Sequence, residues 1–148
     1  CANFVSQCIY AGGIQQNECR YSGKDEEDWN ISSTWRLAQD QYDYFANPEN
    51  GYVNGDIITI TSVDDIEINV SEQNIQKGDL MYFADEEGNV EHATIISSVD
   101  ESMIYFSGNT KRRYDFPLKD ALESGNYMGV YIVRIKDEID SSGGDCIE

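Results

Sequence analysis

Residues 80–109 read LMYFADEEGNVEHATIISSVDESMIYFSGN. Three runs within it, LMYFAD (80–85), HATIISSV (92–99) and MIYFSGN (103–109), are rich in the β-branched and aromatic side chains that fit a pleated surface. DEEGN and DES lie between them, with the Asp, Ser, Gly and Asn residues that form tight turns. Strands joined by short turns pair antiparallel, so the stretch predicts a meander. The same texture continues outward. DIITITSV (56–63) and IEINV (66–70) are expected strands before it, and QKGD is the turn leading in. VYIVRIK (130–136) is an expected strand after it, and PLKDALESG (117–125) has the composition of one or two helical turns.

Further outward, towards the amino terminus, the period changes. In CANFVSQCIYAGG, Cys1, Phe4, Val5, Cys8, Ile9 and Ala11 fall on one helical face, and Gly12-Gly13 ends the pattern. A polar, acidic loop from Gln15 to Asn30 follows. Ser32-Ser33-Thr34 then caps a second helix, TWRLAQDQYDYFAN, with an apolar stripe at Trp35, Ala38, Tyr42 and Phe45 and a stop at NPENG. Helices first and antiparallel strands afterwards is the α+β order. The expectation is one domain over residues 1–148, helical over 1–50 and sheet over 56–136. Amino-terminal helices pack on an antiparallel sheet of about five or six strands. The first helix should pack through Val5, Cys8 and Ile9, with Cys1 facing His92.

The charge narrows the function. Twenty-eight Asp and Glu against ten Lys and Arg give a formal −18, which repels polyanions and argues against nucleic acid as a partner. It also repels anionic membrane and wall polymers unless another module supplies the anchor. No apolar run reaches the roughly 20 residues of a membrane span, and the chain holds no signal peptide. Cys1, Cys8, Cys19 and Cys146 lack metal-ligand spacing, so no metal and no cofactor is expected. They are too few and too scattered to read as a disulfide framework, although Cys19 and Cys146 could pair.

Cys1 opens a helix, where unpaired amide donors and the helix dipole favour a thiolate. His92 is the only histidine and begins a strand. Each alone has a plainer explanation, a small buried hydrophobe and a packed or surface imidazole. Together they form the pair that papain-like nucleophilic sites need. Asn109 ends the next strand, which antiparallel pairing brings beside His92, and its amide could orient the imidazole; a turn residue in Gly-Asn-Thr is the alternative.

CANFVSQCIYAGG resembles the opening of the bacterial putative amidase domain family, whose signature runs Asp-Cys-x-Asn-Phe-Val-Ser-Gln and closes on Ala-Gly-Gly. The likeness continues through STW (33–35), KGD (77–79), HATII (92–96) and NTKRRYDFPL (109–118), nearly the whole chain. That family resembles a branch of the papain-like superfamily containing the cysteine, histidine-dependent amidohydrolase/peptidases. The resemblance implies a papain-like fold with Cys1 as nucleophile, His92 as base and Asn109 as the third polar residue. Lys77-Gly78-Asp79 reads as a structural turn. Trp35 is a candidate for lining the cleft, with a core position as the alternative.

The expected function is a cysteine amidase or peptidase. Peptidoglycan stem peptides are the substrate that the resemblance implies, and a secreted or wall-associated location goes with it. Family members carry a helical segment ending in Asp before the cysteine, so a preceding segment or a wall-binding module outside this chain is an expected partner. Two alternatives stay open: an inactive papain-like binding module, and an N-terminal-nucleophile hydrolase whose α-amine (pKa about 7.7–8.0) serves as base.

Overall fold

A computed structural model describes residues 1–17, 19–22, 31–108 and 113–137. The fold is α+β, with helices on a six-stranded antiparallel sheet. Helix α1 is Ala2–Ala11, with Cys1 as its N-cap. Its end is closed as the sequence requires: Gly13 takes φ 109°, and Ile14 N–H reaches back to the Ile9 carbonyl at 3.2 Å.

The second expected helix is two. Helix α2 (Ser33–Arg36) and helix α3 (Ala38–Ala46) are separated by Leu37, which is extended at φ −105°, ψ 128°. The break re-aims the apolar stripe. Trp35, Gln41, Tyr44 and Phe45 are buried, whereas Ala38 and Tyr42 of the expected stripe are half-buried.

The strands are β1 (Ile58–Ile60), β2 (Leu80–Ala84), β3 (Val90–Val99), β4 (Ile104–Gly108), β5 (Arg113–Pro117) and β6 (Gly129–Val133). They lie in the order β1-β6-β2-β3-β4-β5 with every described pairing antiparallel. Strand β2 is interior and all five of its residues are buried, which explains its unbroken apolar run: a strand covered on both faces has no solvent side to mark. At the β1–β6 contact a Cβ on Gly129 would overlap the Ile60 carbonyl oxygen, so only glycine lets the two backbones approach.

Residues 66–70 are not a strand. Ile66–Glu72 form helix α4, entered by a 3-10 turn at Val63–Asp65 that the Ser62 hydroxyl caps at 3.2 Å. Ile66, Ile68 and Val70 alternate like a strand, but Ile66 and Val70 are also one helical turn apart. Ile66 is 1% exposed and Ile68 is 52% exposed, so the helical pairing prevails. Helix α5 (Leu118–Glu123) falls where the sequence places it, while β5 is a strand that the sequence reading did not foresee.

Both faces of the sheet are thereby covered. On one, Ala2, Val5 and Ile9 of α1 and Tyr44 and Phe45 of α3 pack on Leu80, Tyr82, Ala93 and Val133. On the other, Ile66 of α4 and Leu118 and Ala121 of α5 pack on Met81, Phe83, Ile96, Phe106 and Ile132. Cys8 of the expected packing face is only partly buried. Cys19 is disulfide-bonded and Cys1 and Cys8 are free thiols; Cys146, which the sequence offered as a partner for Cys19, lies outside the described residues.

Candidate active site

Helix α1 begins under a buried polar network that fixes its first turn. Gln41 donates from Nε2 to the Ala2 carbonyl (2.9 Å) and the Ser6 hydroxyl (2.8 Å), while its Oε1 accepts from the Tyr82 hydroxyl (2.9 Å). Ser6 donates onward to the Trp35 carbonyl at 2.8 Å. Arg20, 1% exposed, donates to the Ser6 carbonyl at 3.0 Å and lies over the Trp35 and Phe45 rings at 4.6 and 5.1 Å. Burial lowers the Arg20 pKa to about 10, against the raising influence of Tyr52, Tyr44 and Tyr82. Trp35 is itself 3% exposed and donates from Nε1 to Asn3 Oδ1 at 2.8 Å; it braces α1 from the core side.

Cys1 stands at the start of this anchored helix, exposed to solvent. The first turn carries no acidic residue, so no neighbouring carboxylate there opposes a thiolate. The Ala93 N–H donates to Cys1 Sγ at 3.5 Å. The sulfur of residue 1 thus rests against the peptide that joins His92 to Ala93, ninety-two residues away in sequence. An N–H aimed at sulfur favours the charged form.

His92 owes its position to a bulge. Phe83 pairs with His92 but Ala84 pairs with Val90, so Glu91 is an extra residue in β3. Such insertions bend a strand and redirect the side chain that follows. The His92 ring lies edge-on to Tyr127, with centroids 5.6 Å apart and planes at 88°, and Tyr127 in turn packs on Phe83 at 4.8 Å. Burial raises the Tyr127 pKa, the Glu91 charge adds to that, and Arg113 opposes it.

His92 forms one wall of a small cavity of about 40 Å³ on the α5 side of the sheet, with Phe83, Phe106, Arg113, Ala121 and Tyr127 among its other walls. Two larger hollows, of about 360 and 660 Å³, are lined by neither Cys1 nor His92.

Asn109 lies outside the described residues. Ser107, its neighbour on the same face in the sequence reading, pairs with Ile95 and accepts from the Asp115 N–H at 3.0 Å. That register sets Ser107 three residues along β3 from His92, about 10 Å away. Lys77-Gly78-Asp79 is the structural turn expected. Gly78 has φ 96°, and the Asp79 carboxylate accepts from Gln76 N–H (2.8 Å) and Ile135 N–H (3.0 Å), tying the entry of β2 to the end of β6. Burial pushes the Asp79 pKa up, partly offset by those two bonds.

Gln41, Arg113 and Tyr127 were not singled out in the sequence. For Gln41 a signal existed: it sits at i, i+3, i+4 with Tyr44 and Phe45, a polar residue on an apolar face. Arg113 and Tyr127 come together only through sheet order.

Among the described residues no group of three or more His, Cys, Asp or Glu is placed to hold a metal, and no helix is long and apolar enough to cross a membrane. Residues 1–133 match the family described as the putative amidase domain, and the chain belongs to that family. No curated protein and no solved structure matches the chain.

Proposed function

We propose that the protein is a cysteine amidohydrolase of papain-like type, with Cys1 as nucleophile and His92 as base. The family description points to amide hydrolysis in general. The observation that carries the finer reading is the seat of the Cys1 sulfur, 3.5 Å from the amide following the only histidine. The Cys1 thiolate attacks the amide carbonyl, forming the S–C bond and an oxyanion that amides at the start of α1 stabilise. The proton from the thiol, held on His92, passes to the leaving nitrogen as the C–N bond breaks. Water then loses a proton to His92 and attacks the thioester, releasing a carboxylic acid and restoring the thiol. Asn109 fixes the imidazole.

Peptidoglycan stem peptides are the substrate in this reading, and the protein acts outside the cytoplasm. The disulfide at Cys19 supports that location, because such bonds persist in oxidising compartments. A wall-binding segment beyond this chain offsets the repulsion between a −18 domain and an anionic wall.

The test is chemical and kinetic together. Iodoacetamide should alkylate Cys1 faster than Cys8, whose pKa is raised by burial, with a pH midpoint below the free-thiol value of about 8.5. Cys1→Ser and His92→Ala should each remove nearly all release of amine from stem peptides, and the double variant should lose little more. Equal labelling of the two thiols, or additive losses in the double variant, would refute the assignment.

A further inference from the structure

The cavity beside His92 has a feature that the hydrolytic step does not use. Its walls are mainly apolar, from Phe83, Phe106, Ala121 and Tyr127, yet Arg113 lines it too. The Arg113 guanidinium lies over the Phe116 ring at 3.9 Å. A guanidinium packed on an aromatic ring can still offer N–H donors to a carboxylate. Among the described residues Arg113 donates no side-chain hydrogen bond, and the one ion pair is Lys119 with Glu123. The chain holds 28 carboxylates against ten Lys and Arg. Six of the seven described Lys and Arg lack a carboxylate partner; what sets Arg113 apart is that it lines a pocket shared with the candidate base.

The size of the cavity limits what can enter. At about 40 Å³ the cavity is small, so a methyl-sized side chain fits it and a long or aromatic one does not. Ser124 and Asn126 stand at the rim and add polar groups. A residue with a short apolar side chain fits the phenylalanine-walled floor, and a carboxylate fits the edge of Arg113. The overall charge of −18 does not forbid this. At physiological ionic strength screening confines each charge to about 8 Å, so a carboxylate in the pocket responds to the charges beside it. The Arg113 guanidinium that lines the pocket attracts it, and Glu91, whose charge also reaches Tyr127, opposes it. Charge-assisted and bidentate pairing is what arginine supplies there and lysine only in part.

We propose that this cavity is a substrate subsite for a residue with a small apolar side chain and a free carboxylate, Arg113 being the residue that selects the carboxylate. The assignment rests on the cysteine amidohydrolase reading for its meaning as a substrate site. Its binding chemistry can be tested without turnover.

Because His92 is the only histidine, its ring C–H gives a single isolated proton resonance that reports on this pocket. The whole chain is titrated with N-acetyl-alanine and, separately, with the uncharged N-acetyl-alanine methylamide. The carboxylate should move the His92 signal saturably in the unmodified protein. Arg113→Gln should weaken it at least tenfold, Arg113→Lys should recover part of the loss, and neither change should alter the response to the methylamide. Ala121→Val narrows the cavity while leaving Arg113 in place, and should weaken both probes. A thermal melt of each variant identifies any that fail to fold, and a folded Ala121→Val then carries the test if Arg113→Gln does not. Equal response to the two probes, indifference to Arg113→Gln, or indifference to Ala121→Val would overturn the subsite. An active amidase with no carboxylate preference refutes the subsite alone. Arg113-dependent carboxylate binding with no hydrolysis refutes the enzymatic reading alone.

Discussion

The polar clamp under α1 lends itself to a double-mutant cycle between Gln41 and Tyr82. Both side chains are fully buried, and the Tyr82 hydroxyl donates to Gln41 Oε1 at 2.9 Å. Tyr82→Phe leaves that oxygen without a donor. Gln41→Leu, of similar size, leaves the Tyr82 hydroxyl without its acceptor and removes one donor each from the Ala2 carbonyl and Ser6 hydroxyl. Ser6 keeps its bond to the Trp35 carbonyl, so the hydroxyl of Tyr82 is the main group orphaned. An unsatisfied buried polar group costs about 1–3 kcal/mol, and each single variant should lose about 2 kcal/mol. For a chain of this size that is a fall in melting temperature of about 4–8 °C. Removing both partners leaves neither orphan, so the double variant should be less destabilised than the sum by about 1 kcal/mol or more. Urea unfolding followed by circular dichroism, with the disulfide at Cys19 kept oxidised throughout, measures all four corners. Gln41→Leu alone frees the Ala2 carbonyl next to Cys1, so it should also slow alkylation of Cys1 more than Tyr82→Phe does. Additivity to within about 0.3 kcal/mol would mean that the two groups share no bond, and the clamp would be refuted.

Two further outcomes are expected. If residues 66–72 are helical, Ile66→Ala should cost about 2–5 kcal/mol while Ile68→Ser, at a position 52% exposed, should stay within about 0.5 kcal/mol; equal costs in urea melts would restore the strand reading. Asp79 has its pKa raised by burial in the folded protein, so the folded state binds its proton more tightly than the unfolded chain. That contribution is fully present below about pH 3.9 and is lost as pH rises through the elevated folded value. The stability gap between the unmodified protein and Asp79→Asn should therefore narrow from pH 3.5 to 7, and a widening gap would contradict it.

The strands around the site were legible because their β-branched and aromatic runs are divided by turn residues such as DEEGN and DES. Helix α1 was legible from its period and its Gly-Gly stop. IEINV misled because Ile66, Ile68 and Val70 satisfy a period of two as well as a helical turn, and five residues cannot separate the two. Residues 113–117 hid because Tyr114 and Asp115 are exposed and Asp115 takes a positive φ of 51°, so neither propensity nor alternation marks the strand. Cys1 and His92 could be paired from residue type and element. The cavity could not, since Phe83, Phe106, Arg113 and Tyr127 meet only through the order of the strands. The break at Leu37 left no mark either, because what it serves is the inward turn of Gln41 towards a helix thirty residues earlier.

The contact between Cys1 and Ala93 joins the first residue of the described chain to one 92 positions later. During synthesis at about 5–20 residues per second, roughly 5–18 s separate the appearance of the thiol from that of its seat on β3. Closing so long a loop costs chain entropy before the contact returns any stability. Until then Cys1 lacks the Ala93 N–H and behaves as an ordinary thiol. In the proposed reading, maturation of the reactive centre is thus tied to completion of the sheet, and a truncated or stalled chain carries the cysteine without its seat on β3.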